Sequence, residues 1–215
     1  MIKIQKQDLL KRFGVDNWYQ TELGNALSRL PALTPEGPWI AGGAVRRTFA
    51  GSALNSDYDF FFRNAKQLHN FSKEIDGIGG IHIGGNDKNT AYTLPAVRND
   101  NIKIEGQPAY YPQMDIQLIN FQYYKSAEEV IDSFDFTITQ FAFDGEHFYM
   151  SEFALWDLAR KKLVINKVTY GAATIRRILK YSGQGFTLCD GAAAELLQQV
   201  AEHPEVIEAD VRYID

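Results

Sequence analysis

The sequence predicts an α+β (α/β) fold, a small mixed β-sheet carrying helices and followed by a helical segment from about residue 151. Three observations lead there. Short β-like runs bounded by turn residues recur between residues 39 and 150. A strand–Gly-Gly–helix–strand unit spans "WIAGGAVRRTFAGSALNSDYDFFFR", residues 39–63. Beyond residue 151 the apolar positions recur at helical spacing instead. A chain of 215 residues suits one domain with a small appendage, so the expected division is a head over 1–150, with N-terminal helices, and a helical neck-like segment over 151–215.

Residues 7–30 place Leu9, Leu10, Phe13, Trp18, Leu23, Ala26, Leu27 and Leu30 at helical spacing, and Gly14 divides them into two helices. "PALTPEGP" is a loop, and "WIAGG" reads as a short buried strand. "AVRRTFAG" fits about two helical turns closed by Gly51. "DYDFFFR" is a strand with Asp57, Asp59 and Phe61 on one face and Tyr58, Phe60 and Phe62 on the other. Asn64 caps an amphipathic helix, "AKQLHNFSKEIDG". Between 80 and 120 come four β-like pieces, "GIHIGG", "TAYTLPAV", "NIKIEG" and "MDIQLINF". Ser126 with Glu129 forms a capping-box pattern for a short helix. "FTITQFAFDGEHFYM" reads as a hairpin turning at Asp144-Gly145. Helices are then expected over 151–160, about 171–182, 190–202 and 204–213.

Composition bounds the function. Hydrophobic residues make up 45% and charged residues 23%, enough apolar surface for a core. The single Cys189 excludes a disulfide framework and a thiolate metal site, and reads as a small hydrophobe. His69, His82, His147 and His203 lie far apart, with none at zinc-ligand spacing. No apolar run approaches a membrane span and no signal-peptide core opens the chain, so a cytoplasmic protein is expected. The net charge of −5 argues against a general nucleic-acid coat, yet Arg160 to Lys180 holds seven basic residues and no acidic one. No nucleophile-elbow spacing supports a hydrolase triad. The aromatic runs "FFF", "AYY" and "FQYY" read as packing before base-stacking platforms. "GGIHIGGNDKNT" reads as a hairpin turn before a loop over a site.

The chemistry gathers in residues 39–63. Aspartates at i and i+2 on a strand project from one face, so Asp57 and Asp59 can serve one divalent-ion site. Oxygen-only ligands suit Mg²⁺ or Mn²⁺. The strand–Gly-Gly–helix turn ahead of them offers backbone N–H groups and a helix N-terminus to phosphates. Each part alone is common, and a tight turn followed by a strand end explains it. The ordered set Gly-Gly…Gly…Asp-x-Asp is more specific. A second strand context, "QMDIQLINF", offers Asp115 as a third carboxylate, with Glu105 in reserve.

"GGAVRRTFAG…SDYDFFF" resembles the head-domain signature of the polymerase-β-like nucleotidyltransferases, within them the bacterial poly(A) polymerases and CCA-adding tRNA nucleotidyltransferases. "FDFTITQFAFDG", "ALWDLARKKLVI" and "IRRILKYSGQGF" resemble three further blocks of that branch, in the same order, over most of residues 38–187. The resemblance implies a nucleotidyltransferase head and a short helical neck. It implies an ATP- or other NTP-binding transferase, moving an NMP to a hydroxyl and releasing pyrophosphate. Asp57, Asp59 and Asp115 would be catalytic and hold the metal, Mg²⁺ or Mn²⁺. Gly42, Gly43 and Arg46 would meet the triphosphate. Asp135 and Thr137 would sit by sugar and base, with Arg177 and Lys180 on the opposite wall. The implied acceptor is an RNA 3′ end, tRNA above all, and RNA binding and tRNA processing follow from it.

The chain departs from the branch at several points. Arg46-Arg47 stands where the branch has Arg-Asp, Ser133-Phe134 where it has paired arginines, and Thr139 where it has Asn. Its base-reading Glu-Asp-x-x-Arg is absent near 170–174, and little chain follows the matched helix for tRNA-holding domains. Two other readings therefore stand beside an RNA acceptor. One is the same chemistry on a protein or small molecule; the other is a catalytically silent nucleotide- or RNA-binding module.

Overall fold

The computed structural model describes residues 1–51, 56–104, 107–202 and 204. Glu105, His203 and the helix expected over 204–213 lie outside the described residues, apart from Pro204 alone. The centre of the fold is a mixed eight-stranded sheet, larger than the sequence suggests. Its strands are β1 (Ile2–Gln5), β2 (Trp39–Ala41), β3 (Tyr58–Phe61), β4 (Ile81–Gly85), β5 (Asn89–Leu94), β8 (Met114–Ile119), β9 (Phe141–Phe143) and β10 (His147–Met150). They lie in the order β1-β10-β9-β2-β3-β8-β5-β4. A separate hairpin pairs β6 (Val97–Ile104) with β7 (Gln107–Tyr111).

The helices α1 (Lys6–Phe13), α2 (Glu22–Leu27), α3 (Gly43–Ala50), α4 (Ala65–Gly77), α5 (Ala127–Asp132), α6 (Ala154–Ala159), α7 (Gly171–Gly183) and α8 (Asp190–Glu202) complete the element set. Local chemistry explains their ends. Gly14 and Gly51 close α1 and α3 in the left-handed conformation. Asn64 Oδ1 accepts from the Gln67 N–H at the start of α4. Ser126 Oγ accepts from the Glu129 N–H, but the Glu129 carboxylate accepts from the Lys125 N–H, one residue earlier than a closed capping box requires.

The alternation read along 57–62 is observed. Tyr58, Phe60 and Phe62 enter a core with Leu23 of α2, Val45 of α3 and Ile75 of α4. Phe61 enters a second cluster on the opposite face with Trp39, Ala41, Tyr149 and α5 residues Val130 and Ile131. Helix α5 packs on β2, β9 and β10. The carboxylate face at the start of β3 and on β8 lies beside that cover.

Three expectations change. The N-terminal segment opens with a strand, because Ile2 and Ile4 pair β1 onto β10 before the helix begins. Residues Thr137–Thr139 form a 3₁₀ turn, so the expected hairpin starts only at Phe141. The C-terminal part is not wholly helical: β11 (Lys162–Leu163) and β12 (Thr187–Leu188) pair in parallel, with Leu163 buried and Leu188 packed on the core. That core is continuous, since Leu158, Leu163, Tyr181 and Phe186 belong with the sheet residues. No described helix is long and apolar enough to cross a membrane.

Candidate active site

The site forms where β2 turns into α3. Gly42 has φ +79° and ψ −130°, a region L side chains rarely adopt, and its N–H donates to Phe141 O at 2.8 Å. A Cβ there would sit 3.8 Å from Asp59 Oδ2, so backbone conformation rather than space requires the glycine. The first helical bond runs from the Arg46 N–H to Gly42 O, leaving the N–H groups of Gly43, Ala44 and Val45 ahead of the ladder. Ser56 Oγ lies 3.4 Å from where a Cβ on Gly43 would be, buried and without a partner among the described residues.

Asp57 and Asp59 stand on one face of the chain entering β3. Strand β8 runs parallel beside it, with Asp59 level with Gln117 and Tyr58 with Ile116. One step earlier in that register, Asp57 is level with Asp115. Asp59 is partly buried, and its carboxyl is pushed up to about 7. Burial is the main cause, the Asp57 charge adds to it, and Lys180 and Arg177 oppose it. Two crowded carboxylates, of which Asp59 has a raised pKa, are a donor set that a hard cation relieves, so the residues fit Mg²⁺ or Mn²⁺. Among the described residues no group of three or more His, Cys, Asp or Glu side chains is placed to hold a metal together. Asp115 thus shares the face without closing a three-carboxylate cluster. Its Oδ1 accepts from Thr93 Oγ1 at 2.7 Å and Gln113 Nε2 at 3.2 Å.

Helix α7 forms the opposite wall. Arg177 Nη1 donates to Asp135 Oδ2 at 2.5 Å, and Thr174 Oγ1 donates to the same oxygen at 2.7 Å. Asp135 is therefore buried as the tie between α7 and the segment that follows α5, with Arg177 half-exposed above it. Lys180 is exposed on the same helix and acts electrostatically on Asp59. Tyr181 lies among Arg46, Arg177, Asp135 and Asp59, whose charges all reach it, although burial is what chiefly raises its pKa.

Two further residues expected at the nucleotide are turned inward. Arg46 is only 4% exposed. It lies 5.0 Å from the Tyr181 ring and 5.4 Å from the Phe186 ring, with Nη2 donating to Gln184 Oε1 at 2.9 Å. Its Nη1 has no partner among the described residues, and burial lowers its pKa while Tyr181 opposes the shift. Thr137 is buried, with its hydroxyl donating to Asp157 Oδ2 of α6 at 2.7 Å. The structure also gathers residues that the sequence did not single out, namely Ser56, Gln117, Asn89, Thr174 and Asp157. Ser56, adjoining the Asp-x-Asp pair, and Asp157, inside the "ALWDLARKKLVI" block, carried a signal.

The fold resembles that of solved CCA-adding enzymes. It is similar to the CCA-adding enzyme of Thermotoga maritima complexed with tRNA (TM-score 0.55, 18% identity, 94% of this chain and 46% of that one). CCA-adding enzyme structures with ATP (TM-score 0.55, 18% identity, 95% and 48%) and CTP (TM-score 0.54, 16% identity, 96% and 48%) are similar too. By sequence, the chain is 26% identical over 170 residues to Gabija anti-defense 2 of Bacillus phage SPbetaL7, covering 78% of this chain. It spans about a third, 36%, of that relative's length. The model of the Gabija anti-defense 2 family protein matches residues 7–161, most of the chain, and the chain therefore belongs to the Gabija anti-defense 2 family.

Proposed function

We propose that the chain is a metal-dependent nucleotidyltransferase, moving an NMP from an NTP to an acceptor hydroxyl with release of pyrophosphate. One observation carries this reading: Asp57 and Asp59 share a strand face beside the N-terminus of α3, with Lys180 and Arg177 acting on Asp59 from α7. Phosphate oxygens would accept from the N–H groups of Gly43 and Ala44 and from Ser56 Oγ, which has no other partner among the described residues. Lys180 and the half-exposed Arg177 would balance the charge of the triphosphate. Mg²⁺ or Mn²⁺, when bound to Asp57 and Asp59, would neutralise phosphate charge and favour ionisation of the attacking hydroxyl. Asp115, on the same face, would accept the hydroxyl proton. Asp135 holds Arg177 in place, Thr137 ties the 3₁₀ turn to α6, and Arg46 clamps α3 to the end of α7. In this reading Arg46 acts on the site's shape and does not meet the triphosphate.

The acceptor is an RNA 3′ end in the first reading, supported by the run of basic residues leading into α7 and by a fold neighbour solved with tRNA. Family membership favours a second, in which the hydroxyl belongs to a component of bacterial Gabija defence. The test incubates the protein with each α-labelled NTP, Mg²⁺ or Mn²⁺, total tRNA and host lysate, beside the Asp57→Asn/Asp59→Asn variant. Label in RNA, absent with the variant, supports the first reading. Label in a lysate protein, lost in the same way, supports the second. No transfer and no pyrophosphate from any NTP would leave a nucleotide- or RNA-binding module in their place.

A further inference from the structure

On the β8 side of the carboxylate pair, the position level with Asp59 is held by Gln117. Gln117 Nε2 donates to Asp57 Oδ2 at 2.6 Å, and Gln117 Oε1 accepts from Asn89 Nδ2 at 2.6 Å. An ionised carboxylate only accepts, so the Gln117 amide must present its NH₂ to Asp57 and its oxygen to Asn89. The orientation of the whole relay is thereby determined. Asn89 is itself anchored. The turn before it is closed by Asn86 Oδ1, which accepts from the N–H groups of Lys88 at 2.7 Å and Asn89 at 3.1 Å. Lys88 O accepts from the Asn120 N–H at 3.0 Å, and Lys88 Nζ lies 4.5 Å from the centre of the Tyr170 ring, the residue that caps α7. The β4–β5 turn is thus held from β8 and from the opposite wall of the site.

Asp57 needs such support. It is exposed and precedes the strand, so packing does not select its rotamer. Asp115, level with it, is occupied by Thr93 and Gln113. A carboxylate at 117 would add negative charge beside Asp59, whereas an amide steadies Asp57 without that repulsion. We propose that Gln117, fixed by Asn89, is the positioning residue of Asp57, occupying Oδ2 so that Oδ1 is presented to the catalytic cation. The proposal rests on the metal-dependent reading above. Loss of an outer partner of a metal ligand typically weakens metal binding about 10–100-fold.

The experiment is a Mn²⁺ titration followed by electron paramagnetic resonance, without nucleotide, on the wild type and on Gln117→Leu, Asn89→Ala, the double variant and Asp57→Asn. Thermal unfolding of the metal-free proteins is recorded alongside. The expected result is about 10-fold weaker binding for Gln117→Leu and a smaller loss for Asn89→Ala. The double variant should bind no more weakly than Gln117→Leu, since the two act through one relay, and the metal-free melting points should stay close to wild type. Asn89→Ala keeps the test sharp if Gln117→Leu folds poorly, because Asn89 reaches Asp57 only through Gln117. Unchanged Mn²⁺ affinity in both single variants, with binding lost in Asp57→Asn, overturns the positioning role alone. A wild type that binds no Mn²⁺, either alone or with a non-hydrolysable NTP, overturns the metal reading and this role with it.

Discussion

Asp59 shows at a single residue what the site costs the fold. Its carboxyl, ordinarily near 3.8, is pushed up to about 7 by burial and by Asp57. A raised carboxyl pKa means that the folded state holds the proton more tightly than the unfolded chain. The destabilisation is absent below about pH 4, grows as pH rises towards 7 and is complete above it. Asp59→Asn should therefore leave the melting point almost unchanged at pH 4 and stabilise the metal-free protein on the order of 2 kcal/mol at pH 8. Urea unfolding at the two pH values checks this, and an equal effect at both would refute it. Saturating Mn²⁺ should reverse the order at pH 8, because only the wild type gains the binding energy. The acid pair was legible in the sequence because i and i+2 on a strand share a face whatever the rest of the chain does. Gln117 was not, since it reaches Asp57 across a separation of 60 residues that only strand register brings together.

At the scale of elements, the β2–α3–β3 unit was readable almost to its ends. Gly42, Gly51 and the alternating aromatics are local signals, and these survive tertiary packing. The conformation of Gly42, φ +79° and ψ −130°, gives a direct test. Gly42→Ala places its Cβ at ordinary contact distance from Asp59 and Phe134, so the cost is backbone strain of about 1–3 kcal/mol. Equilibrium urea denaturation should show that loss, and a neutral result would mean that the α3 entrance relaxes. Short strands were less legible. β1 and β12 have four and two residues and exist because a partner strand is waiting. The 3₁₀ turn at Thr137–Thr139 hid in the same way, since "FTITQF" has β composition and the buried bond from Thr137 to Asp157 draws it inward.

Across the whole molecule, the expected boundary at residue 150 meets a core that does not stop there. Phe136 packs edge-on to Tyr181 at 5.8 Å, and Leu158, Leu163 and Phe186 share the cluster that holds Phe60 and Ile116. Asp135 and Arg46 add polar ties from the sheet side to α7. A chain truncated after Met150 would expose Phe136 and Ile138 and leave Arg46 without its aromatic partners. It should lose cooperative unfolding, measured by circular dichroism in urea. A sharp transition for residues 1–150 would instead establish an independent head.

The sequence by itself determined the class of fold, the strand–Gly-Gly–helix turn, the pair Asp57 and Asp59, and a basic helix further along the chain. Each depends on chain neighbours, on periodicity, or on the conformations that one residue type can adopt. Tertiary structure alone decided which side chains face the site. It buried Arg46 between Tyr181 and Phe186, turned Thr137 to Asp157, made Asp135 the anchor of Arg177, and set Gln117 level with Asp59. Those outcomes depend on strand order, register and the competition of distant groups for the same hydrogen bonds, and none of these is encoded at neighbouring positions.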